Sequence, residues 1–145
     1  MIVKRIIIML VLFLVLGVGV SMAEERRGCE VVEQYLSLYA ESNFSRLFRL
    51  LGEEVTLVTQ QSTAGELVEE TIVGADFVIT LVLEHLGTKF EHFFWTYVGS
   101  ETQSGNYNMV YVRVAYVRSD GFSNIQSWYF IVEGGEKIVA IGISK

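Results

Sequence analysis

Residues 31–58 read VVEQYLSLYAESNFSRLFRLLGEEVTLV, and two helical patterns in this stretch run directly into a strand pattern. Apolar side chains of the first pattern fall at positions i, i+3, i+4 and i+7, which are filled by Val32, Tyr35, Leu36 and Tyr39. This spacing predicts a helix that carries one apolar stripe and ends near Glu41. Both tyrosines belong to the stripe, so we expect them to face the interior.

The second helical pattern begins at Asn43, whose side chain can accept a hydrogen bond from a free backbone N–H of the first turn. Gly52 is predicted to end this helix. Residues 55–59 then alternate in the manner of a strand, so a sheet is expected to start directly after the two helices. The helical spacing itself repeats in Phe44, Leu47, Phe48 and Leu51.

The second half of the chain is predicted to be mostly sheet. Residues 66–73 are predicted to form a strand and residues 74–87 a third helix. From Phe90 onward the sequence alternates with a period of two, and turns that contain glycine separate the strands.

The strongest hairpin signal in the sequence is Asp120-Gly121. A two-residue loop at this point would pair Arg113 with Trp128, and directly paired residues share a face of the sheet. By the same counting Gln126 lies on that face. The sequence therefore predicts that these three side chains are neighbours.

A second turn at Gly134-Gly135 would place Ile141 beside Trp128. With this register both faces of the sheet are apolar, although a sheet with one face in water normally carries polar side chains there. Three helices can cover only one of the two faces. We therefore predict a homodimer through the outer sheet face.

The order of elements resembles that of the nuclear-transport-factor-2-like superfamily over almost the whole chain after residue 23. The resemblance is most specific in residues 31–35, VVEQY, and in residues 43–57, which are similar to the opening of ketosteroid isomerases and SnoaL-like proteins. It implies an α+β, cystatin-like fold in which a cone-shaped, curved antiparallel sheet packs against three N-terminal helices. The superfamily includes both enzymes and carriers, so the fold alone leaves the function open.

The resemblance also implies where an active site would lie. In isomerases of this superfamily a tyrosine of the first helix and a neutral acid on the sheet donate to the developing oxyanion, and an aspartate near the first strand removes the proton. Tyr35 matches the tyrosine, but the two acid positions fall near Thr59 and Gln126. Steroid isomerase activity is not expected, because a threonine cannot act as a base near neutral pH.

What remains is a predicted apolar pocket for a small apolar or aromatic ligand. Arg113 would anchor a ligand carboxylate, while Trp128 stacks on the guanidinium or on the ligand. The open alternative for Arg113 is an ion pair with a helix carboxylate, or a side chain that reaches out to solvent. The predicted ligand-binding residues are Tyr35, Tyr39, Arg113, Gln126 and Trp128.

Residues 1–23 have the pattern of a secretory signal peptide. Lys4 and Arg5 precede an apolar run, and small residues at Ser21 and Ala23 suit cleavage after Ala23. We therefore expect an exported protein with one domain, residues 24–145. An uncleaved membrane anchor is the alternative, since the apolar run is close to the length of a spanning helix.

Composition excludes several classes of partner and site. The formal net charge of −6 makes nucleic acid and anionic membrane surfaces poor partners. Cys29 is the only cysteine and cannot form an intramolecular disulfide. His85 and His92 lack metal-ligand spacing, so we predict no metal and no cofactor.

Three hypotheses for function follow. The preferred one is an exported binding protein without catalysis. The second is a SnoaL-like isomerase or lyase that uses Tyr35 with an unidentified base, for which His92 and Asp76 are the least unsuitable candidates. The third is an interaction module whose outer sheet docks on a partner in the cell envelope.

Overall fold

The computed structural model describes residues 26–86, 89–102 and 105–144. The predicted signal peptide, residues 1–23, lies outside the described residues. Helix α1 covers residues 26–40, and it is followed by α2 (Phe44–Phe48) and α3 (Ala75–Leu86). The strands are β1 (Leu51–Thr63), β2 (Glu66–Val73), β3 (Phe90–Thr102), β4 (Tyr107–Arg118), β5 (Ser123–Glu133) and β6 (Lys137–Ser144).

The six strands form one sheet in the order β2-β1-β6-β5-β4-β3. Four neighbouring pairs are antiparallel, as predicted. The pair β1–β6 is parallel, and the elements between these two strands form the long connection that a parallel pair needs. None of the described helices is long and apolar enough to cross a membrane.

The two helical patterns form where the sequence predicts them. The Asn43 side chain accepts a hydrogen bond from the backbone N–H of Arg46 at 3.4 Å and so caps α2. The prediction that Gly52 ends this helix is wrong. Strand β1 has already begun at Leu51, which pairs with Ile138, so Gly52 lies within the strand.

The helices cover one face of the sheet, which we call the inner face. All four side chains of the predicted stripe on α1 are at most 1% exposed, and the ring of Tyr35 packs edge-on against Phe130 of β5 at 5.3 Å. Valines and large apolar side chains of the central strands are buried on the same face. They are Val110, Val112, Val114, Trp128, Phe130, Val132, Ile138, Ile141 and Ile143.

The hairpin between β4 and β5 has a longer loop than the sequence predicts. Arg118 pairs with Phe122 through a 2.8 Å backbone bond, and the N–H of Gly121 donates to the carbonyl of Arg118 at 2.9 Å. Gly121 has a φ of +88°, so the loop has three residues and ends in a left-handed glycine. The predicted two-residue loop is wrong by one residue.

A shift of one residue moves a side chain to the other face of a strand. Trp128 pairs with Val112, and Gln126 pairs with Val114. Arg113 pairs with Ser127 and lies on the opposite, outer face. The prediction that Arg113 neighbours Trp128 is therefore wrong.

The hairpin between β5 and β6 differs from its prediction by two residues. Ile141 pairs with Phe130, and the residue beside Trp128 is Ile143. The cause is a register shift between Ile131 and Val132 together with a turn that includes Glu136. An even shift keeps every side chain on its face, so Ile141 still belongs to the inner face as predicted.

Candidate functional site

Three of the predicted site residues meet at the centre of the inner face. The rings of Tyr35 and Tyr39 lie 6.3 Å apart, and Phe130 connects Tyr35 to Trp128 with a ring distance of 6.0 Å to the indole. Each of these four side chains is at most 2% exposed. Side chains of the protein therefore fill this deep part of the cone.

The hydroxyl of Tyr39 joins two helices. It donates to the backbone carbonyl of Val82 in α3 at 3.3 Å. Burial raises the pKa of both Tyr35 and Tyr39 well above the ordinary value. Their hydroxyls consequently remain protonated near neutral pH, where they can donate hydrogen bonds but cannot act as bases.

Gln126 is the polar side chain next to this cluster, and it is 4% exposed. Its amide oxygen accepts a hydrogen bond from the indole N–H of Trp128 at 3.0 Å. An indole nitrogen can only donate, so the oxygen of Gln126 must be the atom that faces it. The NH₂ group is therefore directed away from Trp128.

The rim of the inner face is less tightly covered than its centre. Trp95 of β3 pairs with Val114, which pairs with Gln126, so the three share one row of the inner face. Trp95 and Phe93 are only partly buried, and their rings lie 6.2 Å apart. These two residues are not among the predicted site residues, although the alternation that starts at Phe90 places them on one face.

Arg113 is separated from the other four predicted site residues. It is exposed on the outer face, whereas Tyr35, Tyr39, Gln126 and Trp128 are buried on the inner face. The register is the reason. A shift of one residue at the turn between β4 and β5 exchanges the faces of the side chains of β4 relative to those of β5. The structure therefore does not bring all five together.

A carboxylate lies beside the position where the isomerases carry their base. Thr59 pairs with Ile143 on β6 and with Glu70 on β2, so Glu70 belongs to the same row of the sheet. Glu70 is not among the predicted site residues. A signal was present in Ala64-Gly65, a two-residue turn with positive φ at both positions, from which counting outward pairs Thr59 with Glu70.

The two bases considered from sequence lie elsewhere. His92 pairs with Val117 on the outer face and stacks on Phe94 with ring centres 5.9 Å apart. Asp76 is exposed in the first turn of α3. Within the described parts of the chain no three His, Cys, Asp or Glu side chains are grouped in a way that could hold a metal ion.

Comparisons with known proteins support the fold. No protein-family model matches the sequence, and no curated protein matches it. An NTF2-like protein of unknown function from Exiguobacterium sp. 255-15 is 21% identical with a TM-score of 0.54, over 78% of this chain and 95% of that one. A ketosteroid isomerase-like protein from Erwinia carotovora atroseptica is 13% identical with a TM-score of 0.63, over 84% and 95%.

A third similar structure is the Orange Carotenoid Protein from Anabaena (Nostoc) sp. PCC 7120 binding canthaxanthin. It is 16% identical with a TM-score of 0.56, over 78% of this chain and 35% of that one. At these identities the likeness concerns the fold. The chain has the nuclear-transport-factor-2-like fold, as the resemblance in residues 31–57 predicts.

Proposed function

We propose that this protein binds a small, neutral, apolar ligand at the rim of the inner face and does not catalyse a reaction. The observation that carries the proposal is the hydrogen bond from Trp128 to Gln126. It occupies the amide oxygen and leaves the NH₂ group as the remaining hydrogen-bond donor of this side chain. A ligand that offers a carbonyl oxygen would satisfy that donor.

The charges of the inner face favour a neutral ligand. Among the described residues the buried polar or charged side chains are Asn108 and Gln126, and both are amides. A ligand carboxylate would be desolvated there without a positive partner, which is costly. The predicted carboxylate anchor, Arg113, lies on the other face.

Partly buried aromatic side chains supply the apolar surface for this ligand. Trp95 and Phe93 pack against the core but remain open to solvent on one side. A ligand that covers them removes apolar surface from water, which is the main driving force for such binding. The carotenoid-binding structure of the same fold supports a carrier role.

A pair of probes tests this function. Acetylnaphthalene carries a carbonyl that ethylnaphthalene lacks, and tryptophan fluorescence reports the binding of either compound. We expect the ketone to bind roughly 2- to 10-fold more tightly, the range of one hydrogen bond. Gln126→Leu should abolish this preference, whereas Arg113→Gln should keep it. Equal affinities for both probes in the wild type would contradict the proposal.

A second candidate function is an isomerase or lyase, which the position of Glu70 favours. Glu70 would act as the base in place of an aspartate at position 59, and Tyr35 would donate to the oxyanion. Proton exchange at the α-carbon of a bound ketone, followed by NMR in deuterated water, tests it. Loss of exchange in Glu70→Gln but not in Glu69→Gln would support catalysis, and absence of exchange in the wild type would exclude it for that ketone.

We further propose that the protein is exported and that cleavage follows Ala23. The support is the charged start, the apolar run and the small residues of the segment. Mass spectrometry of the protein from cell fractions tests this. A mature chain that begins at Glu24 outside the cytoplasm is expected, while an intact Met1 in the membrane fraction would establish the anchor instead.

The proposed homodimer uses a groove on the outer face that we call the outer groove. It encloses about 510 Å³ and is lined mainly by His92, Phe94, Ala115, Val117 and Ile125. Phe94 on the edge strand β3 is 63% exposed, and Ile125 on β5 is 62% exposed. A second copy that covers them would remove this apolar surface from water.

A further inference from the structure

A second concavity of the outer face lies nearer to β1 and β6, and we call it the outer notch. It encloses about 120 Å³. A cavity of about 150 Å³ is large enough for one benzene molecule, so the outer notch suits a compact group of similar or slightly smaller size. The side chains that define it are Val58, Gln60, Tyr111, Ser127, Tyr129 and Ser144.

The shape of the outer notch depends on a glycine. Gly142 pairs with Tyr129, whose ring lies directly on the glycine backbone. A Cβ atom at position 142 would lie 1.8 Å from the ring of Tyr129. The absence of a side chain therefore lets the tyrosine ring lie along β6 and form one wall of the notch, with Tyr111 as its directly paired neighbour on β4.

Two carboxylates stand behind the lining of the notch. The hydroxyl of Tyr111 donates to the carboxylate of Glu101 at 2.9 Å. The amide nitrogen of Gln60 donates to the carboxylate of Glu69 at 3.1 Å. Both glutamates lie one hydrogen bond beyond a lining side chain, so negative charge flanks the aromatic walls on two sides.

The titration of the two tyrosines reflects this negative surrounding. The hydrogen bond to Glu101, followed by burial, raises the pKa of Tyr111. Burial, followed by the charge of Glu69, raises the pKa of Tyr129. In both cases the nearby carboxylate disfavours the negatively charged form of the tyrosine. The same negative surrounding favours a bound cation.

One positive side chain shares this part of the face and acts in the opposite direction. Arg113 pairs with Ser127, which lines the notch, and its exposed guanidinium has no ion pair among the described residues. Arg113 does not itself line the notch. Its charge is expected to weaken the binding of a cation and to limit the notch to a single positive charge.

We propose that the outer notch binds a free, small organic cation of the alkylammonium class. The rings of Tyr111 and Tyr129 would contact the alkyl groups and attract the charge through their π faces. Glu101 and Glu69 would supply the balancing negative charge. A compact trimethylammonium group matches the volume of the notch. It has no N–H donors, so it needs no hydrogen-bond acceptor from the aromatic rings.

Choline and dimethylbutanol provide a matched test, because the second replaces the nitrogen of the first with a neutral carbon. Titrations of the ¹⁵N-labelled protein followed by NMR should show saturable shifts at Tyr111, Tyr129 and Gln60 with choline. The affinity for choline should exceed that for dimethylbutanol by at least about twofold, the lower end of the range for exposed cation–π contacts. Equal affinity for the two compounds, or shifts outside the notch, would overturn the proposal.

Charge variants distinguish a cation site from an anion site on the same face. Glu101→Gln should weaken choline binding and Arg113→Gln should strengthen it. Glu136→Gln removes the same charge from an exposed turn between β5 and β6 and should change the affinity least. If Arg113→Gln instead abolishes binding, and benzoate binds in place of choline, the notch recognises anions and the proposal is wrong.

Discussion

The indole N–H of Trp128 donates a 3.0 Å hydrogen bond to the amide oxygen of Gln126, and both side chains lie on the inner face of β5. Only one residue, Ser127, separates them in sequence, so the bond requires no long-range contact. The bond nevertheless matters for ligand binding, because it fixes the direction of the NH₂ group of Gln126.

Replacing Gln126 by leucine should destabilise the fold. The variant leaves the N–H of Trp128 buried without an acceptor, which typically costs about 1–3 kcal/mol. Urea unfolding followed by circular dichroism measures the change in the free energy of unfolding. Trp128→Phe in the Gln126→Leu background removes the orphaned donor, so the second substitution should cost less there than in the wild type. An equal cost in both backgrounds would mean that the hydrogen bond contributes nothing.

Replacing Gly121 by alanine should also destabilise the protein, through the backbone. The residue has a φ of +88°, and a left-handed conformation costs an ordinary L-residue about 1–2 kcal/mol. Gly99→Ala is the control, because no atom lies within 4 Å of its added Cβ and it has no such φ. If alanine is tolerated equally at both positions, the three-residue loop is not the loop in solution.

The turn at Gly121 also shows which parts of the structure can be predicted from sequence. The stripe through Tyr35 and the cap at Asn43 depend on neighbours within one or two helical turns, and both form as predicted. The face of Arg113 depends on the number of residues in a distant loop. Asp120-Gly121 suits loops of two and of three residues, so the sequence alone does not determine that number.

The same limit applies to the site. Four of the predicted residues are buried on the inner face, as predicted, because the side chains of Gln126 and Trp128 on β5 still point toward the helices. The four are Tyr35, Tyr39, Gln126 and Trp128. Glu70 was missed because alanine rarely adopts the positive φ of a primed turn, which makes Ala64-Gly65 a weak hairpin signal. The family role of Tyr35 gives no information about that carboxylate.

Stability should fall at alkaline pH because of the buried tyrosines. Burial raises the pKa of Tyr35 and of Tyr39 above the ordinary value of 10.0. The two tyrosines contribute fully to the free energy of unfolding below about pH 10, where they are protonated in the unfolded chain as well. This contribution is lost as the pH rises further. Each group should remove about 1.4 kcal/mol per pH unit in that range. Urea unfolding between about pH 8 and about pH 11 measures how the free energy of unfolding changes with pH. These limits lie on either side of the ordinary tyrosine pKa of about 10.

Tyr35→Phe provides the control for that slope. The substitution keeps the ring but removes one ionisable group, so the decline of stability above about pH 10 should become shallower by about 1.4 kcal/mol per pH unit. An unchanged slope would show that Tyr35 ionises in the folded protein as it does in the unfolded chain.

The outer groove predicts the oligomeric state. Sedimentation at micromolar concentration should give the mass of a dimer for the wild type. Phe94→Ser should weaken the association roughly 10- to 100-fold, because burial of a large apolar side chain contributes roughly 1.5–3 kcal/mol. Leu67→Ser is the matched control, since Leu67 is 70% exposed on β2, away from the groove. A monomeric wild type would contradict the dimer.

The most direct test of the proposed binding site is the NMR signal of the Gln126 side-chain NH₂ group during titration with acetylnaphthalene. The account predicts that its proton and nitrogen resonances move downfield as the ketone binds, since a hydrogen bond forms to the carbonyl. With ethylnaphthalene the same resonances should move little. If acetylnaphthalene binds and the Gln126 resonances do not respond, the ligand lies elsewhere and the proposed role of Gln126 is wrong.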